Sequence, residues 1–175
     1  MNERKDRSLI AFDDLNRTVI SRGFCTYCGA CEAACPVHAI RIRDHEVHYD
    51  DCSHFLDFCP ICYDICPHTE PLLIEALKFV SKAPKMCEAL GYYRDVFFAQ
   101  SVNPKLREAS HGGGVVTTLL MDGLKSGLID SAVISEAEPY SPLKLVPQIS
   151  LVPDDVLSAV DSKFTPSSVA KAFGN

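Results

Sequence analysis

Apolar residues recur at helical spacing in two segments of the chain. The first segment predicts a helix that ends at Gly23 and leads into Cys25, and its periodic positions are Phe12, Leu15, Val19 and Ile20. The second segment, residues 71–81, begins with Pro71 and stops before Pro84, which is typical of a helix with proline in its first turn. We expect this second helix to connect two modules.

Other segments alternate between apolar and polar residues, as strands do. Residues 39–44 and 46–49 predict a short hairpin closed around Asp44-His45. From about residue 88 onward, strand and helix patterns follow one another, with strands expected at 92–100, 129–135 and 143–152 and a short helix at 104–109. Pro147 would make the last of these an edge or bulged strand.

Composition and charge exclude several classes of function. The chain of 175 residues is 47% hydrophobic and 23% charged, as globular proteins are, and its formal net charge is -6. A phosphate backbone or an anionic lipid surface requires a basic face, so we expect no nucleic-acid partner. The sequence has no run of about 18 apolar residues and no signal-peptide pattern. We therefore expect a cytoplasmic protein without a membrane span.

Cysteine is the residue type that points to chemistry. The chain has 9 cysteines, and eight of them lie between Cys25 and Cys66. The first run, C-x2-C-x2-C-x3-C-P, has the spacing of bacterial ferredoxins, in which the fourth cysteine binds the other cluster of a pair. A second run, C-x6-C-x2-C-x3-C-P, follows it. We therefore predict two 4Fe-4S clusters, one on Cys25, Cys28, Cys31 and Cys66 and the other on Cys35, Cys52, Cys59 and Cys62.

Two alternatives for these cysteines remain open. Paired C-x2-C motifs also bind structural zinc, although zinc gives no reason for the x2-x3-Pro rhythm to occur twice. The gap before Cys59 is wider than in compact ferredoxins, so one cluster instead of two is also compatible with the sequence. A disulfide framework fits poorly, because it is typical of secreted chains. We expect Cys87 to be a small buried hydrophobe and these histidines to be solvated: His38, His45, His48, His54 and His68.

A glycine-rich segment, Ser110-His-Gly-Gly-Gly-Val-Val-Thr, precedes an apolar helical pattern. Backbone amides at such a place can approach an anionic group. The segment fits neither the Walker A loop nor G-x-G-x-x-G. Lipases have a similar His-Gly-Gly-Gly oxyanion loop, but this chain has no G-x-S-x-G motif to supply a nucleophile. An ordinary turn before a helix is the remaining alternative.

Several segments follow one another in an order that is typical of one protein family. A ferredoxin-type segment precedes Tyr93-Arg-Asp-Val-Phe-Phe-Ala-Gln-Ser, then Gly113-Gly-Val-Val-Thr-Thr-Leu-Leu, then Gly127-Leu-Ile-Asp-Ser-Ala-Val. The later Ser162-Lys-Phe-Thr-Pro-Ser adds a small-residue, lysine and aromatic segment. In these features the chain resembles the coenzyme F420 hydrogenase/dehydrogenase beta-subunit family, over nearly its whole length.

The resemblance implies a flavoprotein that binds FAD and exchanges a hydride with the deazaflavin F420. A hydride carries two electrons and an iron-sulfur cluster accepts one, so a flavin would have to divide the pair. The residues that the resemblance places at the flavin are Ser110, His111, Gly112, Gly113, Gly114, Val115, Thr117 and Lys163.

The resemblance also implies partners. These would be redox subunits of a hydrogenase, a formate dehydrogenase or a heterodisulfide-reductase-like complex in an anaerobic archaeon, with F420 as the substrate of an oxidoreductase beta subunit. The alternative is a non-catalytic ferredoxin-type electron-transfer and docking subunit without bound flavin. Family members continue well beyond the lysine segment, so we expect either a partner chain that completes the flavin site or a version that retains only electron transfer.

The expected fold class is α+β. Residues 1–70 would form a two-cluster ferredoxin-like module with an N-terminal helix, and residues 71–87 a connecting helix and linker. Residues 88–175 would form a small, incomplete α/β unit that resembles the start of a flavin-binding domain.

Overall fold

The computed structural model describes residues 11–52 and 58–174. The chain divides into two compact units, one that ends at Val96 and one over Phe97–Phe173. Both contain helices and at least one two-stranded antiparallel sheet, so the described part has the α+β fold class that the sequence predicts. No helix within the described ranges is long and apolar enough to cross a membrane.

The first unit begins with the helix that its apolar periodicity predicts. Helix α1 (Ala11–Leu15) continues into a π-helical turn (Asn16–Ile20), and Gly23 follows with a φ of +74°. Buried residues of this helix pack against the first strand and the cysteine segment, where each fully buried aliphatic side chain contributes about 1.5–3 kcal/mol. The resulting core consists of Ala11, Phe12, Leu15, Val19, Ile40, Cys62 and Cys66.

The predicted hairpin around residues 44 and 45 is confirmed. Strands β1 (Ile40–Arg43) and β2 (Glu46–Tyr49) pair in antiparallel register. Asp44 and His45 have φ values of +48° and +60°, as the central residues of a two-residue type I′ turn must. One face of β1 is buried, so the hairpin packs on the core of the first unit.

Three further helices complete this part of the chain. Helix α2 (Ala30–Ala34) lies among the first cysteines and α3 (Ile61–Asp64) among the last ones. Helix α4 (Glu70–Val80) confirms the helix predicted at residues 71–81, shifted by one residue, with Pro71 in its first turn. None of the residues of α4 is buried.

The strand predicted at residues 92–100 is wrong. Strand β4 (Gly91–Tyr93) is only three residues long, and it pairs with β3 (Lys85–Cys87) in a hairpin that the apolar pattern did not predict. The rest of the run has no regular secondary structure, and Phe97 and Phe98 are exposed. A strand needs a neighbour for its ladder of hydrogen bonds, and an aromatic and β-branched composition does not supply one.

The second unit contains helices α5 (Pro104–Ala109), α6 (Val115–Ser126) and α7 (Pro153–Ser158). Helix α5 has the bounds that the sequence predicts, and its N-cap Asn103 accepts a hydrogen bond from the Lys105 N–H through Oδ1 at 3.0 Å. The helices share a buried core made of Leu106, Met121 and Val156, against which Leu120 and Leu124 pack.

One antiparallel sheet belongs to the second unit. Strands β5 (Ala132–Glu138) and β6 (Ser141–Ser150) confirm two predicted strands with shifted bounds. Pro147 lies in β6 opposite Ser135, where a two-stranded sheet tolerates a residue without an N–H. The pair is antiparallel instead of showing the parallel strands of an α/β unit. A short 3-10 helix (Val169–Phe173) follows near the end of the described residues.

Candidate functional site

Eight cysteines of the first unit surround two cavities, and all nine cysteines of the chain are free thiols. The first cysteine set, which lines one cavity, is Cys25, Cys28, Cys31 and Cys66. The second cysteine set, which lines the other, is Cys35, Cys52, Cys59 and Cys62. These sets coincide with the two groups that the ferredoxin spacing predicts. Within the described residues no three His, Cys, Asp or Glu side chains converge closely enough to hold one metal ion. The assignment to clusters therefore rests on the cavity linings and stays a prediction.

Two short helices distribute cysteines between the sets. Helix α2 carries Cys31 of the first set, and Cys35 of the second set follows at its C-terminal end. Helix α3 does the reverse, because it carries Cys62 of the second set and precedes Cys66 of the first. The two cysteines of each pair are four positions apart in the sequence, about one turn of helix. The fold thus joins the two cavities through α2 and α3.

The loop before α2 uses left-handed backbone conformations. Tyr27 has a φ of +55°, and Gly29, the N-cap of α2, has a φ of +89°. Glycine adopts this conformation without steric cost, whereas in Tyr27 it costs roughly 1–2 kcal/mol. Such strain is often found at functional sites. Here it lets the loop bring Cys25 and Cys28 to the same cavity.

Burial and mutual repulsion raise the pKa values of several thiols. The pKa of Cys31 rises to about 12, first through burial and then through Cys28 and Cys25. The pKa of Cys62 also rises to about 12, first through burial and then mainly through the other cysteines of the second set. Burial likewise raises the pKa of Cys66. Thiolates crowded in this way need a compensating cation, which iron would supply as it displaces the thiol protons.

Two hydrogen-bonding groups lie at sulfur atoms of the second cysteine set. The Ala39 N–H donates to Cys35 Sγ at 3.3 Å. The Tyr49 hydroxyl lies 3.3 Å from Cys52 Sγ and accepts a hydrogen bond from the Cys52 N–H at 3.1 Å. Burial raises the pKa of Tyr49 to about 12. Hydrogen bonds to ligand sulfurs are one of the factors that set the potential of a cluster.

The histidines and the ninth cysteine contribute little to these cavities. His38, His45 and His48 are exposed and line neither cavity. His68 is also exposed but borders the first cavity, with its Nε2 3.2 Å from Thr26 Oγ1. Histidine 54 lies outside the described residues. Cys87 is half-buried at the end of β3, less enclosed than the sequence predicts.

A cavity of about 330 Å³ lies in the second unit. This volume is at the lower end of the range of ligand pockets, about 300–1,000 Å³. Its walls come from the glycine-rich segment, the start of α6, β5 and the residues after α7. It brings together seven of the eight residues predicted to contact a flavin, namely Ser110, His111, Gly112, Gly114, Val115, Thr117 and Lys163. The contacts themselves stay a prediction.

The eighth residue, Gly113, does not line the cavity, and with Gly114 it shapes the loop. Their φ values are +69° and +72°. A Cβ on Gly113 would lie 3.3 Å from the Gln100 Cβ, and one on Gly114 would lie 3.1 Å from the Leu106 carbonyl oxygen. A Cβ on Gly112 would meet no atom within 4 Å. Positions 113 and 114 therefore need glycine for the backbone, whereas position 112 leaves space beside the cavity.

Ser110 supplies a polar group without a protein partner. Its hydroxyl oxygen is buried, has no hydrogen-bond partner among the described residues and belongs to a cavity-lining residue. A buried hydroxyl left unpaired costs about 1–3 kcal/mol. A polar atom of a bound ligand would offset this cost, so the cavity suits a polar ligand better than it suits an empty turn.

Asp161 connects the glycine-rich segment with the lysine segment. Its Oδ1 accepts hydrogen bonds from the His111 N–H at 3.3 Å and the Ser162 N–H at 2.7 Å, and it also pairs with His111 Nδ1. The hydrogen bonds from the His111 side chain and then from the Ser162 N–H hold the pKa of Asp161 below its ordinary 3.8. Its φ is +84°. The sequence pattern does not predict a role for Asp161, whose one signal is its place just before Ser162-Lys163.

Lys163 lines the same cavity, but its ammonium group already has partners. Its Nζ donates to the carbonyl oxygens of Val160 at 3.0 Å, Ala159 at 3.3 Å and Asp161 at 3.5 Å. These carbonyls follow the C-terminal end of α7, where a cation is favourable. The lysine thus stabilises the turn that forms one wall of the cavity.

Two family models match the chain. Residues 96–173 match the model described as coenzyme F420 hydrogenase/dehydrogenase, beta subunit N-term. Residues 18–41, which include the cysteines from Cys25 to Cys35, match the 4Fe-4S binding domain. The chain therefore contains a 4Fe-4S binding domain ahead of a beta-subunit domain.

Three of its relatives are longer proteins. An uncharacterized protein of Methanocaldococcus jannaschii is 25% identical over 90% of this chain and 47% of its own length. The coenzyme F420-dependent sulfite reductase of the same organism is 25% identical over 86% of this chain and 21% of its own length. The coenzyme F420 hydrogenase subunit beta of Methanothermobacter thermautotrophicus is 31% identical over 43% of this chain and 27% of its own length. The chain spans about half or less of the length of each.

The order of the two matched domains agrees with the order of features along the sequence, and two of the relatives are named for coenzyme F420. Residues 96–173 of this chain belong to the N-terminal domain of the coenzyme F420 hydrogenase/dehydrogenase beta-subunit family, and residues 18–41 belong to a 4Fe-4S binding domain.

Proposed function

We propose that this chain is an iron-sulfur flavoprotein subunit that relays electrons between F420 and a partner redox subunit. The first unit would bind two 4Fe-4S clusters, and the second unit would bind FAD. The observation that carries the proposal is the division of eight cysteines into two sets of four, each around its own cavity.

The arrangement of the cysteines supports two clusters over one. A single cluster would use one set and leave the other four thiols crowded in an apolar cavity, where burial and repulsion already oppose the thiolate form. Each set takes its cysteines from α2, α3 and the loops that flank them. The fold that brings the first four cysteines together therefore also brings the second four together. Iron would bind all eight cysteines as thiolates and release their protons.

The cavity of the second unit supports a bound flavin. The unpartnered Ser110 hydroxyl would meet a polar atom of the ligand, and the absence of a side chain on Gly112 leaves room beside it. No side chain caps the start of α6 in the described structure, so its first amide groups are available to an anionic group. A bound flavin would take up a hydride as an electron pair and give the electrons to the clusters one at a time.

The relatives support a role in a multisubunit redox complex. Two of them are named for coenzyme F420, one as a hydrogenase beta subunit and one as a sulfite reductase. We therefore propose F420 as the hydride carrier. The partner would be a redox subunit of a hydrogenase, formate dehydrogenase or heterodisulfide-reductase-like complex in the cytoplasm of an anaerobic archaeon.

Metal analysis tests the clusters. After anaerobic purification and reconstitution, we expect about eight iron and eight sulfide per chain, since each 4Fe-4S cluster has four of each. Cys87→Ser should retain the full content, because Cys87 lies outside both cysteine sets. About four iron per chain would indicate one cluster, and zinc in place of iron would overturn the iron-sulfur assignment.

Flavin release tests the second unit. Denaturation of the purified protein should release a yellow flavin, and Ser110→Ala should weaken flavin binding about 2- to 10-fold, as the loss of one neutral hydrogen bond does. The matched control is Ser126→Ala, since the Ser126 hydroxyl bonds the Asp122 carbonyl at the other end of α6. Equal affinities in the two variants would contradict the role of Ser110.

The second candidate is a non-catalytic electron-transfer and docking subunit without flavin. The observation that favours it is the engagement of Lys163 Nζ by three carbonyl oxygens, which gives this lysine a structural role. The same purified protein decides between the two. A visible spectrum with only the broad brown iron-sulfur absorption, and no flavin after denaturation, would favour the docking subunit.

A further inference from the structure

Tyr49 is placed by packing at the edge of the second cysteine set. It is the last residue of β2, and its ring stacks on Phe12 with the centroids 3.7 Å apart and an angle of 11° between the planes. Phe12 is buried in the core of the first unit. The strand and the stacked ring together fix where the Tyr49 hydroxyl lies.

The contacts of the Tyr49 hydroxyl oxygen determine which atom accepts a hydrogen bond from its O–H group. Its oxygen accepts a hydrogen bond from the Cys52 N–H at 3.1 Å, and the same oxygen lies 3.3 Å from Cys52 Sγ. A cysteine bound to iron is a thiolate and has no hydrogen to donate. The Tyr49 O–H must then be the donor and Cys52 Sγ the acceptor.

The surroundings favour a strong effect of this bond. Tyr49 and Phe12 both line the second cavity, together with Val37 and Ile40. Hydrogen bonds in an apolar interior are electrostatically stronger than in water, and bonds to an anionic acceptor are stronger than neutral ones. Reduction adds one electron, and therefore negative charge, to the cluster and its sulfurs. A donor to a ligand sulfur stabilises the reduced form more than the oxidised form.

We propose that Tyr49 is a positioning residue that raises the reduction potential of the cluster on the second cysteine set through an O–H to Cys52 Sγ hydrogen bond. The inference rests on the proposed two-cluster function. One electron enters the cluster, the tyrosine keeps its hydrogen, and no covalent bond forms or breaks.

The test is Tyr49→Phe in the full-length, cluster-loaded protein. Phenylalanine keeps the stack on Phe12 and removes the hydroxyl alone. In a redox titration followed by electron paramagnetic resonance, the reduction equilibrium of one cluster should shift about tenfold toward the oxidised form, or about 59 mV to lower potential. The affected cluster should be the one whose signal changes in Cys35→Ser. Tyr92→Phe, in β4 and outside both cavities, should leave both potentials unchanged.

A second variant covers the case in which Tyr49→Phe does not load its clusters. Replacing Tyr49 with 3-fluorotyrosine keeps the hydroxyl and makes it a stronger donor, so the same cluster should become easier to reduce. Two clusters with unchanged potentials in the variant that loads would overturn this inference and leave the proposed function standing. A wild-type protein without a cluster at Cys52 would overturn both.

Discussion

Asp161 shows how a single side chain can hold two segments in place. Its carboxylate receives hydrogen bonds from His111, fifty residues earlier in the chain, and from the next residue, Ser162. These bonds favour the charged form of the carboxyl group. They also stabilise a backbone with a φ of +84°, which is uncommon for any residue except glycine.

The titration of Asp161 is therefore predictable in sign. By NMR, the pKa of this carboxyl group should lie below 3.8, and His111→Ala should move it back toward that value, since the His111 side chain is the first cause of the shift. A pKa that is lower in the folded than in the unfolded protein stabilises the fold above about pH 3.8. This contribution should be lost as the pH falls through the folded value. An unchanged titration in His111→Ala would contradict the pairing.

The glycines of the loop should differ in their tolerance of a methyl group. Gly114→Ala should lower the free energy of unfolding by about 1–2 kcal/mol or more, because alanine in a left-handed conformation is strained and its Cβ would approach the Leu106 carbonyl oxygen. Gly112→Ala is the matched control and should change stability by less than about 0.5 kcal/mol. Urea unfolding of the full chain measures both. Similar losses in the two variants would mean that strain at position 114 is relieved elsewhere.

At the scale of elements, local patterns were predictable and non-local pairing was not. The type I′ hairpin and α5 follow from residues next to one another in sequence, namely Asp44-His45 and the Asn103-Pro104 start. The strand expected at 92–100 is wrong because a strand must pair with another part of the chain. In this region of the described structure only residues 91–93 pair, and their partners are residues 85–87.

The candidate sites show the same difference between local features, which were predictable, and non-local contacts, which were not. The cysteines recur at short intervals, and their spacing predicts the two groups of four that line the two cavities. The contribution of Asp161 depends on a contact with His111 across the second unit. No periodicity or motif within the sequence indicates such a contact.

The crossed use of α2 and α3 gives a prediction about paired variants. Cys35→Ser should perturb the same cluster as Cys62→Ser, although Cys35 lies next to the first set in sequence, because it lines the second cavity. Cys31→Ser should perturb the same cluster as Cys28→Ser. Electron paramagnetic resonance of the reduced proteins distinguishes the two groups. If the spectrum of Cys35→Ser matched that of Cys28→Ser, the crossed assignment would be wrong.

At the scale of the whole molecule, the two units should respond differently to loss of iron. Cysteines form part of the buried core of the first unit, where Cys62 and Cys66 pack with α1. The free energy of binding a cluster there would therefore also contribute to the free energy of folding of the first unit. Anaerobic chelation of iron should raise amide hydrogen exchange in α1 and β1 by about tenfold or more, while protection of the β5–β6 pair changes by less than about twofold. Mass spectrometry of exchanged peptides measures both. An equal rise in both units would contradict their independence.

The sharing of cysteines between α2 and α3 also matters for electron tunnelling, whose rate falls steeply with distance. On the proposed assignment, the separation of the two clusters is governed by four residues of each helical segment, about 6 Å of rise. The length of the segment between Cys52 and Cys59 does not enter this separation. The spacing between Cys52 and Cys59 could lengthen without slowing the hop from one cluster to the other. Length changes in this segment would therefore leave the proposed hop between the clusters unaffected.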